Sequence, residues 1–438
     1  MSDPPRADVD GNRARAVARS PFAWYGEREA TWSGGNAIRL LRGGDTLFPA
    51  MCAAIAAARR DVWLATYIYD EDASGEAVSR ALLAAAARGV RVRVVVDGFG
   101  CLHSQAALRA RFEPAGVGFA VFRPMHGWWS WLQPSHLRRL HQKLCAIDGE
   151  HGFVGGINLI DDRHDLHHGW GDAPRLDYAV ELRGPVVAPV LHTLRAVWTR
   201  AAWGRDWRDR VRAVAKSGRP VQRARGLLQR IGIGSAPANG ASGDALAPAR
   251  LAFLVRDNLR QRRAIEHSYV AAIRQARERI DIVSAYFYPG RAFLRALRAA
   301  ARRGVQVRLL LQGKPDYRVA QLAAQALYDE LLARGVRVFE YMPAFLHAKV
   351  ARVDDRWATV GSSNIDPLSL LLNLEANVVV DDPGFVAQLA AELERDFAAA
   401  REITAPLPLA GWRRWLRRGF VASIARLYLR AAGATGRY

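Results

Sequence analysis

His141 to Asn158 reads HQKLCAIDGEHGFVGGIN, and His347 to Asn364 reads HAKVARVDDRWATVGSSN. Both obey one pattern: His-x-Lys, four residues, Asp, six residues, then Gly-Gly/Ser-x-Asn. A single His-x-Lys carries no weight, because two exposed strand residues would produce it. The whole pattern occurring twice is specific. Its lysines add to this: among 63 Lys and Arg residues, Lys occurs only at 143, 216, 314 and 349. Two of those four hold the same place in the repeated phrase, in a chain that otherwise uses Arg for positive charge.

The flanks repeat as well. DVWLATYIY (61–69), a helical stretch ended by Gly89 and VRVRVVVDG are matched by DIVSAYFY (281–288), a helical stretch ended by Gly304 and VQVRLLLQG. The apolar, β-branched runs read as buried strands and the glycines as helix stops. GVGFAVF (116–122) and GVRVFEY (335–341) are offset by 219 residues, whereas the His-Lys phrases are offset by 206. The first copy therefore carries about 13 extra residues ahead of its phrase, within MHGWWSWLQPSHLRRL (125–140). The expected architecture is α/β: two similar domains related by a pseudo-twofold axis, each a mixed, largely parallel sheet flanked by helices. The expected boundaries are a flexible tail over 1–34, a first domain over 35–214, a linker or excursion over 215–248, a second domain over 249–404 and a basic segment over 405–438.

Residues i and i+2 of a strand share a face, so each His and Lys should stand side by side, with Leu144, Ala146 and Val350 anchoring their strands. The glycines let the chain turn tightly and bring Asn158 or Asn364 and backbone N–H groups to the same spot. Imidazole, ammonium and carboxamide around one cleft suit an anionic phosphoryl group.

These two segments resemble the HKD motifs of the phospholipase D superfamily. GINLIDDRHD, RLDYAVELRGP and GSSNIDPLSLLLNLEANVVV further resemble bacterial cardiolipin synthases, most nearly their B type, over most of residues 35–400. Gly156 stands where many members of the superfamily have Ser, as it commonly does in the bacterial synthases. The resemblance implies one shared active site made from His141, Lys143, Asp148, His347, Lys349 and Asp354, with His141 as nucleophile and His347 as acid–base. Asp148 and Asp354 are expected to brace the motif strands rather than touch substrate. A catalytic His needs its second ring nitrogen held by an acceptor, and Asp177 and Glu375 hold matching places after the two motifs. The implied reaction joins two phosphatidylglycerols, or one and another phospholipid, through a phosphatidyl-histidine intermediate. It requires no cofactor and no metal. A hydrolytic phospholipase D and, further off, a nuclease are the alternatives.

Bulk features bear on the choice. A net charge of +21 predicts an anionic partner, nucleic acid or an acidic membrane surface. Trp128, Trp129 and Trp131 in the insertion, and the stripe Trp412, Trp415, Leu416, Phe420, Ile424 and Leu427 among arginines near the C-terminus, favour a lipid interface over nucleic acid. No signal-peptide core opens the chain and no run of about 18 apolar residues occurs, so the expectation is a peripheral protein on the cytoplasmic face of a bacterial inner membrane. Three scattered cysteines (52, 101, 145) suit a reducing compartment, and Cys145 falls at a buried strand position. DDRHDLHH (161–168) fits no zinc spacing and reads as a polar loop near a headgroup pocket.

Overall fold

The computed structural model describes residues 31–125, 138–202, 249–257, 261, 263–314, 318–366, 369–370 and 373–404. Most of the expected tail, the tryptophans of the insertion, the 215–248 segment and the basic segment from 405 lie outside the described residues.

The first half runs β1 (Trp32–Arg42), α1 (Gly44–Ala56), β2 (Asp61–Thr66), α2 (Ala73–Ala87), β3 (Arg91–Asp97), α3 (Gln105–Phe112), β4 (Gly118–Phe122), β5 (Lys143–Ile147), β6 (His151–Gly155), the two-residue strands β7 (His164–Asp165) and β8 (Gly169–Trp170), β9 (Tyr178–Arg183) and α4 (Val187–Ala202). The second runs β10 (Ala249–Arg256), α5 (Ala264–Gln275), β11 (Arg279–Ser284), α6 (Arg291–Arg302), β12 (Gln306–Gln312), α7 (Arg318–Leu332), β13 (Arg337–Tyr341), β14 (Lys349–Val353), β15 (Trp357–Gly361), β16 (Glu375–Asp381), α8 (Pro383–Ala398) and β17 (Ala400–Ile403). β1 already begins at Trp32, inside the segment expected to be tail.

Among the described residues fifteen strands form one continuous sheet, β17-β13-β12-β11-β14-β15-β16-β10-β1-β9-β6-β5-β2-β3-β4. Apart from the added edge strand β17, the order reads the same from either end. β10 and β1, antiparallel to each other, meet at the centre. The pseudo-twofold axis passes there. Within each half the parallel pairs are those of the β-α-β units, β2-β3-β4 and β11-β12-β13. The sheet is mixed as expected, but parallel pairing is its lesser part. Each motif strand returns on itself through a tight turn (β5 to β6, β14 to β15), and so short a connection forces antiparallel pairing.

Among the described residues three apolar cores hold this arrangement. One lies on one face of the first half, under α1, α2 and α3, and contains Leu47, Leu82, Phe112 and Val94. Its counterpart in the second half contains Tyr269, Leu297, Tyr328 and Leu309. The third takes residues from both halves, including Trp63, Leu182 and Leu194 with Val350, Leu374 and Leu389. The halves thus share a sheet and a core rather than a thin interface. Cys145 is wholly buried in the first core, as its strand position predicts.

Candidate active site

The site forms at the end of the sheet where β2, β3 and β4 finish and β5 begins, and at the matching end of the second half. Thr66 closes β2 beside Lys143, and Ser284 closes β11 paired with Lys349. Each His enters its strand through a backbone hydrogen bond donated to the other half. The His141 N–H donates to Leu374 O (3.0 Å), and the His347 N–H donates to Leu176 O (2.8 Å). These bonds bring the two imidazoles together across the axis, with ring centroids 6.5 Å apart and the ring planes inclined at 64°. That gap admits a phosphoryl group.

The carboxylates are exchanged between the halves. His141 Nδ1 contacts Glu375 Oε2 at 3.1 Å, and His347 Nδ1 contacts Asp177 Oδ2 at 2.6 Å. Each imidazole is therefore oriented by the carboxylate that follows the other motif. Asp177 and Glu375 are almost fully buried, while the His side chains keep 13% and 18% exposure, which leaves their Nε2 atoms facing the cleft.

The two pairs differ electrically. Burial disfavours the Glu375 anion, but His141 beside it, Lys143 and a hydrogen bond from the Ser362 hydroxyl (2.5 Å) outweigh this and hold its pKa below the usual carboxylate range. For Asp177 burial wins: despite Lys349 and the Tyr178 N–H, its carboxyl is pushed up to about 7. Burial, reinforced by Lys349 and Arg175, drives His347 well down. His141 is lowered too, chiefly by burial, with Glu375 working the other way. His141 thus faces a full anion, whereas His347 and Asp177 are poised to hold one proton between them.

The lysines are more deeply buried than either His, at 6% and 1% exposure. Lys143 Nζ donates to His141 O (2.8 Å) and Lys349 Nζ to His347 O. Burial brings Lys143 down to about 7 and Lys349 to about 8, against the pull of Glu375 and Asp177. An anion between the histidines would restore both ammonium charges. Asn158 and Asn364 are both buried: Asn158 Oδ1 accepts from the Ile68 N–H (3.3 Å), and Asn364 Oδ1 has no hydrogen-bond partner among the described residues.

Gly156 has a physical reason. A Cβ there would lie 2.3 Å from Asp177 Oδ1. A serine would displace the carboxylate that holds His347. In the other half the longer Glu375 leaves room for Ser362, whose hydroxyl becomes its donor.

Asp148 and Asp354 are not part of this centre. They follow β5 and β14 at the opposite end of the sheet, about 20 Å from the histidines by strand rise. Asp148 accepts the N–H groups of Arg59, Arg60 and Asp61 at 2.7–2.8 Å. Asp354 does the same for Arg277, Glu278 and Arg279. Both sit at positive φ, 54° and 51°, the left-handed conformation that Asp tolerates in a tight turn. They tie the motif turn to the chain entering β2 or β11 and touch nothing in the cleft.

Two contributors escape a reading by motif. The Tyr67 ring lies 5.1 Å from His141 and 5.4 Å from Lys143 Nζ, yet in TYIY it looks like one more core aromatic, and its counterpart in the repeat is Ala285. Arg175, two residues before Asp177, acts electrostatically on His347 and Lys349. From the 161–168 loop, His164 comes together with Asp70 and Asp72, ahead of α2, so that their ligand atoms lie within 4.8 Å of one another. Asp72, however, is already committed: it caps α2 through the N–H groups of Ser74 and Gly75 and accepts from Asp161 N. Among the described residues no helix is long and apolar enough to cross a membrane.

The family described as "Cardiolipin synthase, PLD-like domain" matches residues 51–168 and 269–397. Cardiolipin synthase B of Escherichia coli (strain K12) is 38% identical over 372 residues, 85% of this chain and 83% of that protein. Cardiolipin synthase A of Pseudomonas aeruginosa (strain UCBPP-PA14) is 35% identical over 84% of this chain and 68% of its own length. Among solved structures, phosphatidylserine synthase of Haemophilus influenzae has the same fold, with a TM-score of 0.61 at 14% identity, covering 93% of this chain and 96% of that one.

Proposed function

The chain belongs to the family of cardiolipin synthases with phospholipase D-like domains, and from that premise we propose that it transfers a phosphatidyl group from one phosphatidylglycerol to a second, or to another phospholipid. The observation that carries this reading is the pair of imidazoles 6.5 Å apart, each held at Nδ1 by a buried carboxylate from the opposite half. His141 Nε2 attacks phosphorus while Nδ1–H donates to the Glu375 anion, which offsets the positive charge the ring gains on bonding. The bond from phosphorus to the headgroup glycerol oxygen breaks, and His347 Nε2–H protonates that oxygen, releasing glycerol. In the second half His347 Nε2 takes the proton of the incoming hydroxyl, whose oxygen displaces His141 from phosphorus. Lys143, Lys349, Asn158 and Asn364 hold the non-bridging oxygens. The order of roles follows the electrical asymmetry: a nucleophile is best served by a neutral ring beside a full anion. An acid–base gains from a partner that shares its proton.

Phosphatidylglycerol carries a negative charge, and a peripheral seat on the anionic cytoplasmic face of the inner membrane suits the net charge of +21. The basic, aromatic stripe over 411–430 is the proposed anchor.

The test is incubation of purified protein with labelled phosphatidylglycerol in mixed micelles, with DNA as a parallel substrate. Cardiolipin and free glycerol are expected. Phosphatidic acid alone would make the enzyme a hydrolase, and cleavage of DNA would make it a nuclease. His141→Ala and His347→Ala should each abolish turnover, and the double variant should be little worse than either, because the two act as a unit.

A further inference from the structure

Four large apolar side chains among the described residues stand exposed: Leu102 (41%), Leu166 (40%), Trp170 (66%) and Met342 (39%). Scattered exposed apolar residues need no explanation, but these are not scattered. Leu102 follows the end of β3, Met342 the end of β13, and Leu166 and Trp170 the end of β6. By strand register, all three ends lie at the edge of the sheet where Lys143 and Lys349 begin their strands. The opposite edge, where Asp148 and Asp354 tie down their turns, has none of them.

The densest part of this rim is the hairpin of β7 and β8. Its turn is fixed by Asp165, whose Oδ1 accepts the N–H groups of His167 and His168 at 2.9 and 3.0 Å. Its base is held by Arg175, which donates to His164 O (3.0 Å) and Asp165 Oδ2 (3.1 Å), and by Gly171 N–H donating to Arg163 O (2.7 Å). The Trp170 ring is stacked on His164 at 5.0 Å and 15° rather than folded into the core. His168 packs at 5.0 Å on Phe345, two residues before His347, so the hairpin borders the cleft itself. An indole and an isobutyl group are thus held out in water by a rigid polar frame beside the reacting atoms. Preorganised exposure of this kind costs free energy in the isolated protein and is recovered when an apolar phase covers it.

We propose that the Arg163–Gly171 hairpin, with Leu102 and Met342, is a rim that enters the headgroup and upper acyl region of a lipid bilayer and seats the cleft over its substrate. The occupant follows from the site: the imidazoles open at this edge, and a phosphate that stays in a bilayer can reach them only if this edge meets the headgroups. Exposed Arg163, at the base of the hairpin, adds charge suited to an anionic surface. The inference rests on the lipid substrate proposed above, and its test is separable from that reading because it measures binding, not chemistry.

The full chain is sedimented with vesicles of equal parts phosphatidylglycerol and phosphatidylcholine. Leu166→Ser/Trp170→Ser should bind vesicles about tenfold more weakly or worse, as expected for losing partial burial of two large apolar groups, with an unchanged melting curve. In the wild-type protein, amide hydrogen exchange over 163–171 should slow when vesicles are added, a readout that holds even where the double variant fails to fold. Unchanged vesicle affinity of a folded variant, or unchanged exchange in the wild type, overturns the rim. A self-association that the variant abolishes while vesicle binding persists also overturns it, in favour of contact between copies of the chain. His141→Ala should bind vesicles as the wild type does; a wild-type chain that forms no cardiolipin yet binds through the hairpin would refute the proposed reaction and leave the rim standing.

Discussion

At residue 156 the chain has no side chain, and at the equivalent residue 362 it has a hydroxyl, although the same turn leads into the same chemistry. The difference follows the carboxylate each must accommodate: the shorter Asp177 crowds residue 156, whereas the longer Glu375 reaches far enough to accept from Ser362. Ser362→Ala removes a donor to the anion and should raise the Glu375 pKa. Activity requires that carboxylate ionised, so the acid limb of kcat/KM should move to higher pH, with the loss confined to the acid side and little change at pH 8. Gly156→Ser should instead displace Asp177 and lower kcat at every pH. The lysines set the other limb. Held down to about 7 and about 8, Lys143 and Lys349 lose their charge as pH rises through those values. The free enzyme then attracts a phosphoryl group less, so kcat/KM should fall toward pH 9. kcat, measured with the anion bound and the ammonium restored, should persist to higher pH. Lys143→Arg would keep its charge across this range, yet a planar guanidinium cannot fit where a compact ammonium reaches the His141 carbonyl, and a loss of at least about tenfold is expected. In an Arg-rich chain, two lysines persist where shape decides.

The motif strands separate two jobs that the motif's name joins. One end of β5 and β14 presents His and Lys to the cleft; the other ends in an aspartate that gathers three backbone N–H groups. Asp148→Asn and Asp354→Asn should therefore cost stability, about 1–3 kcal/mol each in a denaturant melt, while the folded fraction keeps near-normal kcat. A collapse of kcat without loss of stability would return these residues to the chemistry. Strand–helix–strand order, the repeat and the side-by-side His and Lys were legible because continuous runs of Val, Ile and Leu and a duplicated phrase are local signals. The dominance of antiparallel pairing was not, because a buried apolar run looks alike in either direction and only the short turns after Asp148 and Asp354 carried the clue. Asp177 and Glu375 were legible as matching positions, but their exchange between halves depends on how the halves face each other. Tyr67 and Arg175 lay hidden for a different reason: neither is duplicated, so the repeat could not pick them out.

On the scale of the whole molecule, the duplication has become irreversible. A half alone would hold a histidine without its carboxylate, since Glu375 serves His141 and Asp177 serves His347. It would also expose β1 or β10 as a bare edge and open the core that Trp63, Leu182, Val350 and Leu389 now close together. Separately produced halves, 1–214 and 249–438, should accordingly be inactive each by itself, even at high concentration. Mixing or co-expressing them should restore turnover only as they reassemble the central β1–β10 pair, so activity should rise with the concentration of each and saturate. Exchanged carboxylates make a sharper forecast than reassembly alone. A first half carrying Asp177→Ala, mixed with an intact second half, should fail although both histidines are present, because His347 has lost its acceptor. His141→Ala and Asp177→Ala placed in the same first half should leave any second half inactive. If instead a half carrying Asp177→Ala supported normal turnover, or either half turned over substrate alone, each histidine would have to be served from within its own half.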